Sequence, residues 1–409
     1  MIIPSIDIQN GKVVQLRQGS ELVYTDERHP VELVRYFARF GPVAVIDLDA
    51  AMGTGSNEEL IAACCAAAPC RVGGGIRSEE AVLRWIRRGA EKVIIGTAAK
   101  PELLSKFPRD WLIVALDSRE GEVVVEGWKR GTGETTLDRA RELAPFCSEF
   151  LFTCVEREGM LGGAAIALTL ELAEAVDVPV TAAGGITTVE EISTLIQAGC
   201  RVQIGRAIYE GRIDLVDAWT RQIKFDDSGL VPIVVQDKNS DAIRMVAYGN
   251  TESMASALRS GEGWFYSRSR QKLWRKGESS GNTQQLVQAR WDCDRDCVRF
   301  VVTQSGPTCH TGATTCFDDM LPESLGILDT TIGERAAEET PSGYTGKLLR
   351  DRDLNVAKLR EEIEEVIEAE TVDEVAWEAA DVIYHLLVYA RGLGVDLQRI
   401  ESELRSRRR

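Results

Sequence analysis

What this chain lacks narrows it first. No apolar run approaches the ~18 residues from which a membrane-spanning helix is read, and no charged-then-apolar leader opens the sequence. A soluble, cytoplasmic protein with no membrane partner is therefore expected. A basic excess is also missing. Lys and Arg total 48 against 64 Asp and Glu, for a net charge of −16, whereas a protein that neutralises duplex phosphates needs a broad positive face. No nucleic-acid partner is expected. Basic residues concentrate only within residues 267–282 and at the terminal Arg405, Arg407, Arg408 and Arg409, the latter matching a solvated helix end. Nothing calls for disulfides either. The ten cysteines of an intracellular chain serve more often as metal ligands or small core residues. Cys64, Cys65, Cys70, Cys147, Cys154 and Cys200 lie in or beside apolar runs, which assigns them to the core.

What is present fits several domains. A length of 409 residues accommodates two to four units at ~100 to 200 residues each, and a hydrophobic fraction of 44% supports real cores. From residue 1 to about 219, short apolar runs alternate with amphipathic stretches, the pattern of a parallel sheet wound with helices. Strand candidates are 1–6, 43–48, 70–72, 93–95, 111–116, 150–153, 178–182 and 202–204. The pattern is written twice. Asp7 with Gly11-Lys12-Val13-Val14 returns as Asp117 with Gly121-Glu122-Val123-Val124, and Gly74-Gly75-Ile76 returns as Gly184-Gly185-Ile186, each about 110 positions further on. Ile95-Gly96-Thr97-Ala98 likewise returns as Ile204-Gly205-Arg206-Ala207. Two four-strand halves predict a (βα)8 TIM barrel with its active face at the C-terminal strand ends, where both aspartates and both glycine pairs fall. Glycines ahead of a helix start expose backbone amides to an anion. Each half thus offers a phosphate cradle, and a substrate phosphorylated at both ends is expected. Candidate substrate contacts are Arg17, Gly75, Arg77, Gly96 and Thr97 in the first half and Gly184, Gly185, Gly205 and Arg206 in the second.

A different chemistry occupies Asp292 to Cys316. Asp292, Asp294 and Asp296 alternate with Cys293, and Cys309-His310 and Cys316 follow. Hard oxygens and soft sulfurs suit different metals. On an extended segment the three aspartates share a face while Cys293 points away, a trio suited to Mg²⁺. Cys293, Cys309 and Cys316 would leave Zn²⁺ one open position for water, and His310 is a candidate catalytic group. A closed Cys3His structural site using His310 is the alternative. Upstream, Arg268, Arg270, Trp274, Arg275 and Lys276 sit in a glycine-bearing run suited to phosphate. The junction Lys224 to Gly229 precedes this small α+β metal-binding domain, and a second polar junction, 318–345, follows it around a possible helix at 325–338.

The last part is helical, with amphipathic stretches at 354–370 and 373–393. Glu361, Glu362 and Glu365 lie within about one turn, and Glu378 and Asp381 repeat the spacing on the second helix. A carboxylate such as Asp381 on an apolar helix is costly unless paired or metal-bound. Facing acidic stripes would hold Mg²⁺ against a pyrophosphate, with Glu362 and Glu365 as candidate catalytic groups and Lys358 as a substrate contact.

These residues carry three resemblances. Ser267-Arg268-Ser269-Arg270, Trp274-Arg275-Lys276-Gly277-Glu278, Asp292-Cys293-Asp294-x-Asp296 and Cys309-His310-x5-Cys316 resemble the phosphoribosyl-AMP cyclohydrolase family. That likeness implies zinc on Cys293, Cys309 and Cys316, magnesium on Asp292, Asp294 and Asp296, and a homodimer with the zinc site between subunits. Ile6-Asp7-x3-Gly11-Lys12-Val13-Val14, Asp47-Leu48-Asp49, Gly73-Gly74-Gly75-Ile76-Arg77, Gly127-Trp128 and Ala183-Gly184-Gly185-Ile186 resemble the ProFAR isomerase barrel of histidine biosynthesis. This likeness implies an Amadori rearrangement of the aminoaldose to the aminoketose, with Asp7 as base, Asp117 opposite, and an acid after the sixth strand. There the family has Thr-Asp-Ile-x-x-Asp-Gly and this chain has Thr153-Cys154-Val155-Glu156-Arg157-Glu158-Gly159, which leaves Glu158 for the acid. Arg77 and Gly127-Trp128 favour the isomerase over the related synthase cyclase barrel. Ser342-Gly343-Tyr344-Thr345, Lys358-x2-Glu361-Glu362-x2-Glu365 and Glu378-x2-Asp381-x2-Tyr384-His385 resemble phosphoribosyl-ATP pyrophosphohydrolase, an all-α MazG-like fold, with Arg360 where that family has glycine. The expectation is three domains, 1–225, 229–320 and 321–409, that take phosphoribosyl-ATP through three consecutive reactions. Two rivals remain: a non-catalytic barrel fused to the two hydrolases, or a zinc-dependent interaction protein needing no magnesium.

Overall fold

The computed structural model describes residues 1–17, 19, 21–125, 127–128, 130–158, 160, 162–317 and 324–408. Gly159 of the sixth-strand motif, the first residues of the second junction and the terminal Arg409 lie outside them. The chain opens with β1 (Ile2–Gln9) and a hairpin of β2 (Lys12–Arg17) and β3 (Glu21–Asp26). Strand and helix then alternate through α1 (Pro30–Ala38), β4 (Val43–Asp47), α2 (Leu48–Met52), α3 (Glu58–Ala67), β5 (Cys70–Gly73), α4 (Glu79–Arg87), β6 (Lys92–Ile95), α5 (Pro101–Leu104) and β7 (Leu112–Arg119). The second half repeats the plan with the hairpin β8 (Glu122–Val125) and β9 (Arg130–Thr135), then α6 (Thr136–Leu143), β10 (Glu149–Cys154), α7 (Ile166–Ala175), β11 (Val180–Ala183), α8 (Val189–Gln197), β12 (Arg201–Ile204), α9 (Arg206–Tyr209) and α10 (Leu215–Thr220). β1 pairs in parallel with β4 on one side and β12 on the other, so the sheet closes into the expected barrel of eight parallel strands.

Gly11 and Gly121, which follow the two repeated aspartates, lie in hairpin turns. Asn10 and Gly11, and again Glu120 and Gly121, all have positive φ, the conformation that folds a strand tightly back on itself with the right twist. Cross-strand register sets Asp7 opposite Ile46 and Asp117 opposite Thr153, so both aspartates stand at the C-terminal ends of their strands. The helices behind the two glycine pairs begin cleanly: the Ser78 hydroxyl accepts from Ala81 N, and Thr188 and Glu191 form a reciprocal cap. At the opposite end Glu149, fully buried, accepts from Arg71, Arg201 and Thr181. Two guanidinium groups there compensate a carboxylate that burial alone would penalise heavily.

The middle unit contains β13 (Val231–Asp237), β14 (Ile243–Gly249), α11 (Thr251–Ser260), the hairpin β15 (Trp264–Ser267) and β16 (Lys272–Arg275), then β17 (Gln284–Trp291) and β18 (Val298–Gln304). Its main sheet runs β14-β13-β18-β17, and its buried residues Ile233, Met254 and Phe300 join the barrel's core cluster. Trp219 and Trp291 pack with ring centroids 4.8 Å apart across the junction, and Arg39 donates to the carbonyls of Leu258 and Arg259 at the end of α11.

The third unit is helical: α12 (Leu325–Ala336), α13 (Gly343–Arg350), α14 (Arg352–Glu368), α15 (Val372–Gly392) and α16 (Leu397–Ser406). Its small core is Ile332, Leu348, Leu387 and Val388. Here one expectation is corrected. The terminal basic cluster is not simply a solvated helix end, because α16 lies against α4 of the barrel. Arg399 donates to Arg87 O at 2.7 Å and Arg405 to Glu91 O at 2.5 Å. Carbonyls at a helix C-terminus lack internal partners and carry negative dipole charge, which is what the Arg399 guanidinium meets at Arg87, while Arg405 meets the loop that follows α4. Arg407 pairs with Glu403 on its own helix. Reversing both Arg399 and Arg405 to glutamate is expected to raise amide exchange over residues 84–91 and enlarge the radius of gyration in solution scattering, with pyrophosphate release held within about twofold. Unchanged exchange would contradict this docking.

Candidate active sites

The barrel mouth gathers three carboxyl groups. Burial pushes Asp7 up to about 7. Burial also raises Asp117, against hydrogen bonds from Trp128 and Thr153 that favour its charged form. Glu158 is pushed up to about 7, first by burial and then by the charges of Asp7 and Asp117. The glutamate that replaces the resemblance's aspartate therefore reaches the same mouth. Cys154 does not: its thiol hydrogen-bonds Glu156 at 3.2 Å and is pushed up to about 11, chiefly by burial. Gly74 has φ +97 and a Cβ there would collide with the Asp47 backbone, while a Cβ on Gly184, φ +86, would meet Glu158. Both cradles accordingly need glycine.

Asp47 and Asp49 face each other through a residue the motif reading missed. Asn57 Nδ2 donates to Asp47 at 2.8 Å and to Asp49 at 2.9 Å, while its Oδ1 accepts from Gly11 N at 2.9 Å. Asn57 precedes α3 but makes no side-chain cap, so its amide serves the mouth instead. Of the expected contacts, Gly96, Thr97 and Asp117 line a cavity of about 410 Å³, and Gly184, Gly185, Gly205, Arg206 and Glu158 line one of about 30 Å³. Arg77 donates to Ala50 O and Ala51 O and so holds the α2 segment, while Arg17 pairs with Glu21 in the first hairpin.

In the middle unit the carboxylates of Asp292, Asp294 and Asp296 come within 4.8 Å of one another, but not by strand alternation. Residues 292–297 form a turn between β17 and β18, with Arg295 at φ +73 and the Asp292 side chain accepting from Arg295 N and Cys297 N. A side-chain-braced turn folds the three oxygens inward where an extended strand would only have aligned them. Cys309 and Cys316 also meet, through a hydrogen bond between their sulfurs that lowers the first and raises the second. For Cys309 the larger influence is hydrogen bonding from Thr311, and for Cys316 it is burial. Cys293 does not join them in any three-ligand group among the described residues. His310 lies beside the pair, 3.7 Å from the Cys309 sulfur.

Two residues that the sequence did not single out aim this cysteine loop. Arg244 pairs with buried Asp237 at 2.5 Å, donates to Thr314 O, and offers its carbonyl to Cys316 N. From the basic run, Lys276 donates to Thr308 O and feels the Cys316 and Cys309 charges, though burial lowers it overall. Arg268 stacks over Tyr248 at 3.8 Å, Arg270 bonds Ser267, Arg275 pairs with Glu262, and Trp274 packs on Phe265. Arg275 and Trp274 thus build the hairpin.

In the helical unit Glu362, Glu365 and Glu378 converge within 4.8 Å. Glu362 is buried and pushed up, first by desolvation, against the pull of Lys358. Asp381 adds to the negative field on Glu362 and Glu378. Glu361 stands outside the converging group and holds Lys358 at 2.8 Å. His385 is buried and lies 3.7 Å from Glu362 and 3.4 Å from Asn355, with burial lowering it toward the neutral form. Thr345 and Tyr384 share a 2.7 Å hydrogen bond, and the Tyr344 and Tyr384 rings stack. Oxygen-only donors fit a hard divalent cation, and the sulfur pair in the middle unit fits a softer one.

A family model described as histidine biosynthesis protein matches residues 1–214, one for phosphoribosyl-AMP cyclohydrolase matches 245–318, and one for phosphoribosyl-ATP pyrophosphohydrolase matches 325–408. The histidine biosynthesis bifunctional protein HisIE of Bacillus subtilis is 42% identical over 198 residues, covering 46% of this chain and 95% of the relative. HisIE of Halalkalibacterium halodurans is 41% identical over 202 residues, again 46% of this chain and 96% of the relative. The 1-(5-phosphoribosyl)-5-((5-phosphoribosylamino)methylideneamino) imidazole-4-carboxamide isomerase of Methanocaldococcus jannaschii is 37% identical over 230 residues, 53% of this chain and 97% of the relative. Both hydrolase families depend on metal ions. Among the described residues no helix is long and apolar enough to cross a membrane.

Proposed function

The chain belongs to the histidine biosynthesis protein family and carries isomerase, cyclohydrolase and pyrophosphohydrolase domains, and on that premise we propose how its three sites act in series on one small phosphorylated nucleotide. The helical site takes phosphoribosyl-ATP, with Glu362, Glu365, Glu378 and Asp381 holding Mg²⁺ and Lys358 near the phosphates. The middle site takes the resulting phosphoribosyl-AMP, with Cys309 and Cys316 as zinc ligands and the Asp292, Asp294 and Asp296 turn for Mg²⁺. When bound, these metals supply activated water and neutralise phosphate charge. Because Cys293 stays apart from the other two thiols within one chain, we assign it to the zinc site of a second copy, in a homodimer.

In the barrel the reaction needs one group to protonate the substrate's ring oxygen and another to take a carbon-bound proton. Glu158 is the acid and Asp7 the base, with Asp117 held by Trp128 and Thr153. Acid and base are most useful when their proton affinities lie near the working pH, and both lie at about 7. A bell-shaped rate profile centred near neutrality follows. What carries the overall reading is that three adjoining matched regions each gather a distinct reactive set whose chemistries run in sequence.

The barrel step is tested with Asp7→Asn in the full chain, offered the aminoaldose. Isomerisation is expected to fall by ~10² to 10⁴. Stability should move the other way. Between pH ~4 and ~7 the folded Asp7 keeps a proton that the unfolded chain has released, so stability falls as pH rises through that window, and above it the loss is complete. At pH 8 the asparagine variant should therefore be more stable, on the order of 1 to 3 kcal/mol. An unaltered isomerisation rate would defeat the assignment.

A further inference from the structure

The two halves of the barrel are not equivalent. Glu158 Oε2 lies 2.6 Å from where a Cβ on Gly184 would stand, so the carboxylate rests inside the second phosphate cradle, bounded by Gly184, Gly185, Gly205 and Arg206. The space left there is about 30 Å³. One water needs about 10 to 15 Å³ on this measure, so a few waters fit and a phosphate group does not. Beside Gly96 and Thr97 in the first half, the cavity is about 410 Å³. Glutamate at 158 is one methylene longer than the aspartate of the resembling motif, and that reach is what carries the group into the cradle.

We propose that Glu158 is a gate on the second phosphate cradle: its carboxylate fills the cradle in the free enzyme, and an arriving phosphate displaces it, protonated, toward Asp7 and Asp117. A carboxylate and a phosphate dianion cannot share so small a space without strong repulsion. The displaced group then faces two further carboxyls. Already in its cradle position, burial and then the charges of Asp7 from β1 and Asp117 from β7 disfavour its ionised form. The cations nearby are engaged elsewhere, Arg157 with Gly163 O and Arg206 with Glu210, and the Glu191 carboxylate of α8 is bound to the amides of Ala164, Thr187 and Thr188. One proton is taken from solvent as phosphate binds and returned when it leaves. Resting on the isomerase reading, this makes substrate docking the event that loads the general acid.

The test reads binding and not turnover, so an inactive barrel would sink the isomerase reading while leaving the gate to be judged by itself. Ribose 5-phosphate is titrated calorimetrically into the full chain at pH 8 in two buffers of different ionisation heat. A phosphate monoester is already a dianion at that pH, so it takes up no proton of its own. The unaltered chain should absorb close to one proton more than Glu158→Gln. That variant should bind about tenfold more tightly at pH 8 and nearly equally at pH 6, as expected for a group ionising near 7. Glu158→Asp, too short to fill the cradle, should also bind more tightly at pH 8. Equal proton uptake in Glu158→Gln, or no gain in Glu158→Asp, overturns the gate.

Discussion

Replacing Cys309 with serine is expected to abolish ring opening of phosphoribosyl-AMP and to release bound zinc, with pyrophosphate release unchanged. A thiolate lost from the proposed three-sulfur site would remove both charge and the geometry that keeps one position open. Cys309 and Cys316 meet within the chain, yet Cys293 sits on the aspartate turn and joins no three-ligand group with them. The proposed dimer makes a sharp prediction from this separation. In a two-fold dimer each site takes Cys293 from one copy and Cys309 with Cys316 from the other. Cys293→Ser and Cys309→Ser chains, each inactive alone, should recover about a quarter of the ring-opening activity when refolded together in equal amounts. Half of the dimers are then mixed, and each carries one intact site of two. If mixing restores nothing while each variant still dimerises, the shared site is wrong.

Glu362→Gln should cut pyrophosphate release by roughly a thousandfold or more, the scale of several kcal/mol that metal-centred charge stabilisation supplies. Glu362 is the buried member of the three converging carboxylates, and it lies between Lys358 at 3.6 Å and His385 at 3.7 Å. The amide keeps the shape but loses the charge that orders cation, lysine and helix pair. Ring opening of supplied phosphoribosyl-AMP is expected to stay unchanged, because the thiol pair and the aspartate turn lie on another unit. Glu361→Gln should cost far less, since Glu361 stands outside the converging group and pairs with Lys358. Equal losses from the two substitutions would count against this assignment.

How far these sites could be read in advance depended on whether position along the chain fixed position in space. Eight apolar runs lie where the barrel strands fall because a strand buried on both faces is a continuous apolar segment. The internal repeat then supplied closure. Donor chemistry was equally legible: aspartates, thiols and glutamates announce metals by their atoms. Their geometry was not. Asp292 to Asp296 looked like strand alternation, but the Asp292 side chain folds the segment into a turn by capturing Arg295 N and Cys297 N. Asn57 carries no motif, yet it bridges two aspartates. The Asp237 and Arg244 pair has no local signature, since its value lies in where it aims the cysteine loop. Arg405 looked solvated because its partners are the backbone carbonyls of Ala90 and Glu91, some three hundred residues away.

The central claim is that one chain runs three reactions in sequence. The most direct measurement supplies phosphoribosyl-ATP with Mg²⁺ and Zn²⁺ to the purified full chain and follows pyrophosphate, the opened ring and the aminoketose in one time course. The account predicts that all three appear in that order, and that Asp7→Asn stops the course at the aminoaldose. Accumulation of phosphoribosyl-AMP, or of the aminoaldose in the unaltered chain, would contradict it.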